Sequence, residues 1–478
     1  MIRFFGSLLS LSLLLLVSLV LIFTVLSTGA ISVTNKILYP SQNNDYHLVK
    51  ALATKYHDVG IPFPGGPIII DPHLMAKVVS GGLRYPTSMT FLGPNDFLVT
   101  EKDAGTVRRV MNGTVLKQPL LDVSVATYGH RGLLGIAVSP TFQPTTTSSS
   151  SYGSRNTTTS IFLYYTQAKT HTSDDITEGK IPAGNRLYKY KLVDNRLVNP
   201  QLLLDLPAIP GAIGNGGKVI VGPDDNVYLT IGDVGINGHN TKAQNIQNGS
   251  EPDGTSGILR VHQDGKPVTP GILGNTYPSD LYYSYGIWNS FGIAFDPITK
   301  ILWDTQIGLP FGDEINLVNP GFNSGYNKID GIWLHGYGND QTEKYDIAPL
   351  HPNNLADFNG RGKYHPPQFT WFNKVVPTGI TFMNSKKLGS QYENDMFVAD
   401  DLNGNIYHFK LNSQRTGLML PSGPLRDLVA NRTDHLDQIK FGKGFGGITD
   451  LKVNPYDGYL YVLTFDQGTI YRIAPIDQ

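Results

Sequence analysis

Three glycines fall within the four residues Gly214-Asn215-Gly216-Gly217, in the stretch "AIGNGGKVIVGPDDNVYLTIGD" (residues 212–233). The backbone of this turn is therefore little covered by its own side chains. Alternating apolar residues after the turn predict two β-strands, and glycines of this kind let a backbone approach a ligand closely. Other chemistries are excluded. The chain has no cysteine, which rules out thiolate metal sites, a cysteine nucleophile and disulfides. It also has no P-loop, Rossmann fingerprint or Gly-x-Ser-x-Gly elbow.

The elements that position this turn are β-strands. Six times along the chain, an alternating apolar strand, a turn rich in Gly, Pro or Asp, and a second aromatic-rich strand follow one another. The first unit begins at "PTSMTFLGPNDFLVTEK" and the last at "GGITDLKVNPYDGYLYVLTF". Four-stranded units recurring at such spacing are typical of propeller blades. The sequence therefore predicts an all-β fold, a six-bladed β-propeller over residues 75–478.

The composition agrees with a single turn-rich β domain. Of the 478 residues, 40% are hydrophobic and 16% charged, with 52 glycines and 31 prolines. This mixture is too apolar for a disordered chain. The formal net charge is −1 and there is no basic run, so the chain lacks the positive surface that phosphate backbones require. We expect no nucleic-acid partner.

The N-terminus predicts a membrane anchor. Phe4–Ala30 carries no charge, is long enough to span a bilayer as a helix, and exceeds the apolar core of a secretory signal. We therefore assign residues 1–34 to a transmembrane helix, with cleavage at Ser27–Ala30 as the alternative. Residues 35–74 would form a juxtamembrane spacer and the entry to the propeller. Arg3 predicts a single-pass protein of the cell membrane with its propeller outside the cytoplasm.

One insertion is long enough to carry function. Gly338–Phe369 is rich in His, Asp, Asn and Tyr and separates the fourth unit from the fifth. Irregular segments of this length are usually either disordered or functional. On a propeller such a segment could cap the central channel.

Six stretches resemble the glucose/sorbosone dehydrogenase family, in the family's order and over residues 75 to 476. They are "RGLLGIAVSPTF" (131–142), "NGGKVIVGPDDNVYLTIGD" (215–233), "NSFGIAFDP" (289–297), "GDEINLVNPGFNSGY" (312–326), "VVPTGITF" (375–382) and "ENDMFVADDLNGNIYHFKL" (393–411). The resemblance implies a six-bladed propeller that uses pyrroloquinoline quinone (PQQ) and calcium to oxidise aldose sugars.

The resemblance also implies a general base that is missing here from its expected position. The family carries a histidine just before the equivalent turn, where it takes the proton of a sugar hydroxyl while hydride passes to the quinone. The matching residue is Gly214, followed by Asn215. Lys218 matches a basic residue of the family, which either contacts the cofactor or supports its strand.

Cationic anchors of the quinone implied by the resemblance are replaced as well. An arginine that pairs with a quinone carboxylate corresponds to Trp288, whereas the following Asn289 is kept. A tryptophan can stack on a flat ring but does not neutralise a carboxylate. A family lysine falls on Met383, and "DDLNGNIYHF" has no arginine. Lys374 either supplies a new positive charge at the cavity or is an ordinary loop lysine.

Two calcium sites follow from the resemblance. Backbone carbonyls that match Gly308 and Leu309 hold the quinone-bound ion in the family. Asp313 and Glu314 of "DEINL" match a structural site whose oxygen ligands suit calcium. The aromatic partner of that site is replaced by Ser324. For Asp313 and Glu314, a structural turn or an ion-binding role is favoured over catalysis.

One replacement introduces a new functional group. His130, just before "RGLLG", matches a family glutamine that faces the mouth of the active site. Its imidazole could act as a relocated base, or as a metal ligand together with His335 or His365. A hydrogen-bonded channel histidine is the alternative.

These residues leave three functions open. The first is a membrane-anchored, PQQ-dependent sugar dehydrogenase acting on CH–OH groups. The second is a non-catalytic propeller that binds a glycan or a protein partner at the channel mouth. The third is a different reaction built on His130 with a bound divalent metal. The fold does not choose among them, because one fold hosts many functions. Cations around a quinone-sized cavity, with a base in reach, would favour the first.

Overall fold

A computed structural model describes residues 65–139, 159–169, 182–235, 239–309, 311–334 and 346–476. The predicted anchor at residues 1–34, the spacer up to residue 64, and His335 lie outside the described residues. Within the described residues, no helix is long and apolar enough to cross a membrane. The helices of this part of the chain are short 3₁₀ segments, at Lys242–Gln244, Ser279–Leu281, Ser390–Tyr392 and Thr433–Gln438.

The first three large sheets follow one another along the chain, and the strands of each are named from the innermost outwards. Sheet 1 contains Pro86–Gly93, Asp96–Glu101, Thr106–Met111 and Thr114–Val115, with Leu121–Asp122 beside its third strand. Sheet 2 contains Leu133–Val138, Ser160–Gln167, Gly184–Val193 and Arg196–Leu206. Sheet 3 contains Val219–Val221, Val227–Ile231, Gly257–Val261, Tyr282–Tyr285, Phe322–Asn323 and Lys363–Tyr364.

The other three large sheets follow in the same way. Sheet 4 contains Asn289–Phe295, Leu302–Ile307, Asp313–Val318, Phe369–Trp371 and Val429–Ala430. Sheet 5 contains Pro377–Phe382, Met396–Asp400, Ile406–Leu411, Lys440–Lys443 and Ile68–Ile69, with Leu418–Met419 beside its third strand. Sheet 6 contains Ile448–Val453, Leu460–Thr464, Thr469–Pro475 and Leu74–Ser80. A two-stranded sheet joins Ile329–Asp330 to Trp333–Leu334.

The large sheets pack face to face around a common axis. The inner strands of sheets 1 and 2 contact each other, and so do those of sheets 2 and 3, 4 and 5, 5 and 6, and 6 and 1. Between sheets 3 and 4, the second strand of sheet 3 contacts the inner strand of sheet 4. This closed ring confirms the predicted all-β propeller fold.

The ring is closed by pairing the two ends of the propeller region. Leu74–Ser80 lies antiparallel to Thr469–Pro475, with Met75 opposite Ala474. An early strand therefore forms the outer edge of the sheet that the last three strands build. The first strand to enter any sheet is Ile68–Ile69, which pairs with the outer part of sheet 5.

The burial of the second strands explains their sequences. Val227–Ile231, Leu302–Ile307 and Met396–Asp400 are buried along their whole length. Each second strand lies in a sheet that is covered on both faces by its neighbours, so both sets of alternating side chains avoid water. Aromatic rings bridge neighbouring sheets, as in the 5.3 Å approach of Phe97 to Tyr461. Loops at the channel ends are therefore supported by rigid strands.

Candidate functional site

The structure brings several predicted site residues together at one end of the channel. His130, Gly214, Trp288 and Lys374 each lie one to five residues before an inner strand, in sheets 2, 3, 4 and 5 respectively. Direct contacts between these segments place them around a common opening. We call this region the channel mouth.

The turn at Gly214 is fixed by its main chain. Gly214 has a φ of 70°, and its carbonyl accepts a hydrogen bond from the backbone nitrogen of Val234 at 3.0 Å. A Cβ added at Gly214 would lie 3.1 Å from the same nitrogen. A side chain at this position would be strained, because L-residues rarely adopt a left-handed conformation. The backbone at residue 214 is therefore shaped for glycine.

Two asparagine side chains flank this turn. The Oδ1 atom of Asn215 accepts a hydrogen bond from Asn185 at 3.0 Å, and the Oδ1 atom of Asn289 accepts one from the backbone nitrogen of Gly216 at 3.0 Å. Both asparagines are fully buried. Within the described residues, the Nδ2 group of each has no hydrogen-bond partner. Two buried amide groups beside the turn are thus unsatisfied, which is unusual in a folded protein and is often a mark of a functional site.

Trp288 and Lys374 form a pair at the opening. The Trp288 indole is buried and donates a hydrogen bond to the carbonyl of Gly235 at 3.2 Å. The ammonium of Lys374 lies 5.5 Å from the centre of that ring, a cation–π arrangement. Among the residues the structure describes, the lysine has no carboxylate within ion-pair distance. Its ammonium therefore contacts an aromatic ring and forms no direct ion pair in this part of the chain.

His130 is a half-buried histidine of the same mouth. Its backbone nitrogen donates to the carbonyl of Ala212 at 2.8 Å, and its ring centre lies 6.2 Å from that of Phe291. Burial, followed by the positive charges of Lys102 and Lys374, lowers the pKa of His130 to about 4. The imidazole is therefore neutral at pH 7.

Sequence reasoning missed Lys102, which comes directly after the second strand of sheet 1. Its ammonium donates to Asp103 at 2.6 Å and is close enough to His130 to lower the pKa of that imidazole. Second strands of a propeller end where inner strands begin, so the residue after each second strand is a usable signal for the mouth.

The same signal would have found Asp401, which follows the second strand of sheet 5. Its backbone nitrogen donates to the carbonyl of Val376 at 3.0 Å, which places Asp401 beside the Lys374 segment. Burial, followed by repulsion from Asp466 and Asp400, raises the pKa of Asp401 to about 7. The mouth therefore holds two groups with strongly shifted pKa values, a pattern that is common at functional sites.

Asp313 is held by three backbone donors. Its Oδ1 atom accepts from Gly308 at 2.9 Å, and its Oδ2 atom accepts from Val375 and Val376 at 2.7 and 2.8 Å. Burial raises the pKa of Asp313, and the charge of Lys374 opposes the shift. Asp313 therefore joins the Gly308 turn of sheet 4 to the chain segment after Lys374.

Glu314 points into a buried polar layer between sheets 3 and 4. Its carboxylate accepts hydrogen bonds from the side chains of Asn316 and Ser324, both at 2.9 Å, and from the backbone of Gly331 at 2.8 Å. Burial is the main cause that raises its pKa to about 8, and the nearby charge of Asp304 adds to the shift.

Asp304 lies on the same face of sheet 4, opposite Asn316. Burial raises its pKa to about 7. Asn316 and Ser290 lie close enough to favour its charged form, although neither meets hydrogen-bond geometry with it. Both carboxylate oxygens of Asp304, together with the side-chain oxygens of Gln306 and Asn316, lack hydrogen-bond partners within the described residues. The layer is thus rich in oxygen atoms, the ligands that calcium prefers.

The predicted histidine metal cluster is not formed by the described residues. His365 is exposed and follows the outermost strand of sheet 3. In the described ranges, no group of three or more His, Cys, Asp or Glu side chains could hold a metal ion. The predicted partner His335 lies outside those ranges.

Lys218 points into the centre of the channel, away from the turn that it follows. Its ammonium forms a buried ion pair with Asp450 of sheet 6. Asp450 also accepts from the backbone of Met89 at 2.9 Å and from Ser88 at 3.2 Å, and lies 3.5 Å from Lys452. This group, which we call the channel hub, joins sheets 1, 3 and 6. The placement agrees with the strand-supporting alternative for Lys218.

Fold and site together define a propeller protein with a cluster of polar and aromatic residues at one end of its channel. The chain belongs to the glucose/sorbosone dehydrogenase family, whose sequence profile matches residues 83–472. It is 25% identical over 406 residues to the aldose sugar dehydrogenase of Escherichia coli, covering 84% of this chain and 92% of that protein. It is 28% identical over 453 residues to quinoprotein glucose dehydrogenase B of Acinetobacter calcoaceticus, covering 83% and 86%.

Solved structures show the same fold. The apo form of the soluble aldose sugar dehydrogenase of Escherichia coli superposes with a TM-score of 0.60 at 20% identity, covering 84% of this chain and 99% of that one. The PQQ-bound aldose sugar dehydrogenase of Streptomyces coelicolor gives a TM-score of 0.55 at 22% identity, covering 84% and 98%. At these identities the similarity establishes the fold alone.

Proposed function

We propose that this protein is a PQQ-dependent dehydrogenase that oxidises a CH–OH group of a sugar, with calcium as a second cofactor. Family membership supports the proposal, as do relatives named aldose sugar dehydrogenase and quinoprotein glucose dehydrogenase. The observation that carries it is the donor set of the mouth. Lys374 presents a cation that forms no direct ion pair among the described residues, and Asn215 and Asn289 have amide groups without a hydrogen-bond partner there.

This donor set fits PQQ, a flat molecule with three carboxylates. Lys374 would pair with one carboxylate, and the Nδ2 groups of Asn215 and Asn289 would donate to ring carbonyl or carboxylate oxygens. The buried ring of Trp288 would form a wall of the site. Lys102 lies nearby, but its charge is paired with Asp103, so Lys374 is the cation offered to an anion.

His130 is the proposed proton acceptor. PQQ supplies an electron-pair acceptor, so that the C–H bond of the sugar breaks as hydride and the alcohol is oxidised to a carbonyl. The hydroxyl proton must then move to a base, and an imidazole that is neutral at pH 7, as that of His130 is, can accept it. An anionic ligand on Lys374 would offset one of the charges that lower the pKa of His130, and so strengthen it as a base.

We propose the oxygen-rich layer around Glu314 and Asp304 as the calcium site. The side-chain oxygens of Gln306 and Asn316 complete a set of two carboxylates and two amides, which suits a hard cation. Asp313 and Glu314 both already accept hydrogen bonds through their two carboxylate oxygens, so the unsatisfied oxygens of the layer are those of Asp304, Gln306 and Asn316. The carbonyls of Gly308 and Leu309 stay candidates for a quinone-bound ion.

We further propose that residues 1–34 anchor the protein in the cell membrane and that the propeller faces outside the cytoplasm. The uncharged segment Phe4–Ala30 supports the anchor. Sugar substrates outside the cytoplasm would then reach the mouth directly.

A second function, a non-catalytic propeller that binds a glycan or protein at the mouth, is favoured by one specific feature. The family's base position is Gly214, at a left-handed φ that suits glycine. In that case the mouth would bind its ligand without transferring a proton.

A reconstitution assay separates the two functions. The purified protein would be loaded with PQQ and calcium, and the oxidation of a panel of aldoses would be followed with an artificial electron acceptor. We expect turnover by the wild type and a rate lower by about 100-fold or more in His130→Ala. His365→Ala, which changes an exposed residue, is the control and should keep the wild-type rate. Quinone binding without turnover of any aldose would favour the non-catalytic propeller.

A further inference from the structure

A cavity lies on the flank of sheet 3. Its volume is about 690 Å³. Three segments form its walls, and they lie within residues 242–251, 273–279 and 355–361. None of the residues that line the cavity belongs to the channel mouth or the hub. The third segment lies in the long insertion that the sequence marks as either disordered or functional.

The lining of this cavity is polar but close to neutral. Gln247, Asn248, Asn275 and Asn359 contribute side-chain amides, which offer both donors and acceptors. Charges compensate one another, because Lys242 is paired with Glu251 and the remaining charged residues, Arg361 and Asp357, have opposite signs. Such a lining suits an uncharged ligand rich in hydroxyl groups, not an anion or an apolar molecule.

One aromatic ring adds an apolar surface. Phe358 lines the cavity and is half-buried, with its ring in edge contact with Tyr285 at 4.9 Å between centroids. The hydroxyl of Tyr285 donates to the carbonyl of Ala356, and the backbone nitrogen of Gly362 donates to the carbonyl of Asp357 at 2.7 Å. These bonds hold the loop that carries Phe358, so the cavity wall is formed in advance of binding.

We propose that this cavity binds an oligosaccharide at a site separate from the channel mouth. Amides of the lining would hydrogen-bond the sugar hydroxyls, and the Phe358 ring would pack against the apolar C–H face of a pyranose. The proposal does not depend on the redox function. If that function also holds, the flank site would retain a longer saccharide near the mouth.

Titration calorimetry on the full chain tests the proposal, with maltotriose, cellotriose and chitotriose as probes. We expect one or more of them to bind with a stoichiometry of one. Asn248→Ala and Asn359→Gly should each weaken that binding about fivefold, the loss of one hydrogen bond. Glycine is chosen at residue 359 because the native φ there is 59°. Asn95→Ala is the matched control, since Asn95 is an exposed asparagine in a turn of sheet 1.

Two results would overturn the proposal: no heat from any of the three trisaccharides, or unchanged affinity in both cavity variants. If either variant fails to unfold cooperatively, Gln247→Ala replaces it, because the Gln247 side chain is exposed. None of these changes touches the channel mouth, so PQQ binding measured on the same samples should stay at the wild-type level. A failure of the flank site is therefore distinguishable from a failure of the proposed redox function.

Discussion

The channel hub and the channel mouth are both polar, but they use their polar groups differently. In the hub, Asp450 is satisfied by Lys218, by the backbone of Met89 and by Ser88. In the mouth, amide donors of Asn215 and Asn289 have no partner within the described residues. A buried donor without a partner costs free energy, so stability alone does not account for the mouth. The hub holds the ring together, and the mouth is prepared for a ligand.

The two regions also differ in how their charged groups are paired. Burial alone would raise the pKa of Asp450, but the charges of Lys218 and Lys452 hold it below its ordinary value. In the mouth, two lysines lower the pKa of His130, and Lys374 acts on the buried carboxyl of Asp313 without forming a direct ion pair among the described residues. The central carboxylate of the hub is therefore in direct contact with its cation, whereas Lys374 of the mouth has no such contact. Single substitutions in each region separate these roles, from the largest expected effect to the smallest.

Lys218→Met should have the largest effect on stability. The substitution leaves the buried carboxylate of Asp450 with Lys452, which is more distant, as its positively charged neighbour. Breaking one side of a buried ion pair costs about 3–5 kcal/mol. Urea denaturation would measure the loss in the free energy of unfolding. Lys386→Met, which removes an exposed pair with Glu393, is the control and should cost less than about 1 kcal/mol. Equal losses in the two variants would refute the structural role of the hub.

His130 should make the protein less stable in acid. Its folded pKa is about 4, against 6.5 for an ordinary histidine. Between these values the unfolded chain binds more protons than the folded one, so stability falls as the pH is lowered from 6.5 towards 4. At pH 4.5 this contribution amounts to about 2 kcal/mol. His130→Gln should therefore lose less stability than the wild type between pH 7.5 and 4.5 in urea titrations. Parallel losses in both proteins would show that His130 is not held neutral by its surroundings.

Lys374→Met should weaken PQQ binding about tenfold, because one charge-assisted contact is lost. The free energy of unfolding should change by less than about 0.5 kcal/mol, since the lysine is half-buried and contacts only a ring face. Quenching of tryptophan fluorescence by PQQ would give the affinity. If the variant binds PQQ as tightly as the wild type, Lys374 is an ordinary loop lysine.

Gly214→Ala should cost about 1 kcal/mol, because the left-handed φ of 70° is unfavourable for alanine. Gly81→Ala is the control. Its φ lies outside the left-handed range, and the nearest atom to an added Cβ is 3.7 Å away. Thermal unfolding would compare the two variants. A loss that is no larger at Gly214 than at Gly81 would mean that the turn tolerates side chains, and that a base could be restored there.

Much of the fold could be predicted from the sequence, because both-face burial in a propeller produces readable apolar runs. "VYLTI" and "MFVAD" predict buried strands, and both occur as second strands of their sheets. Short turns of Gly, Pro and Asp mark the ends of these strands. The predicted anchor lies outside the described residues and stays a prediction.

The site was less predictable, because its geometry depends on partners distant in sequence. Lys218 and Asp450 are 232 residues apart, and nothing near either residue indicates their ion pair. Lys102 and Asp401 likewise reach the mouth only through the closure of the ring. By contrast, His130, Trp288 and Lys374 each lie just before an inner strand, a position that can be read from the sequence once the strands are predicted.

Calorimetric titration of the purified protein with PQQ, with and without calcium, tests the central claim most directly. The account predicts calcium-dependent binding at micromolar affinity or tighter, because unsatisfied amide groups and a lysine without a direct ion pair among the described residues line the mouth. Absence of detectable binding in the presence of calcium would contradict it, and would leave a propeller whose ligand must be sought among glycans and surface proteins.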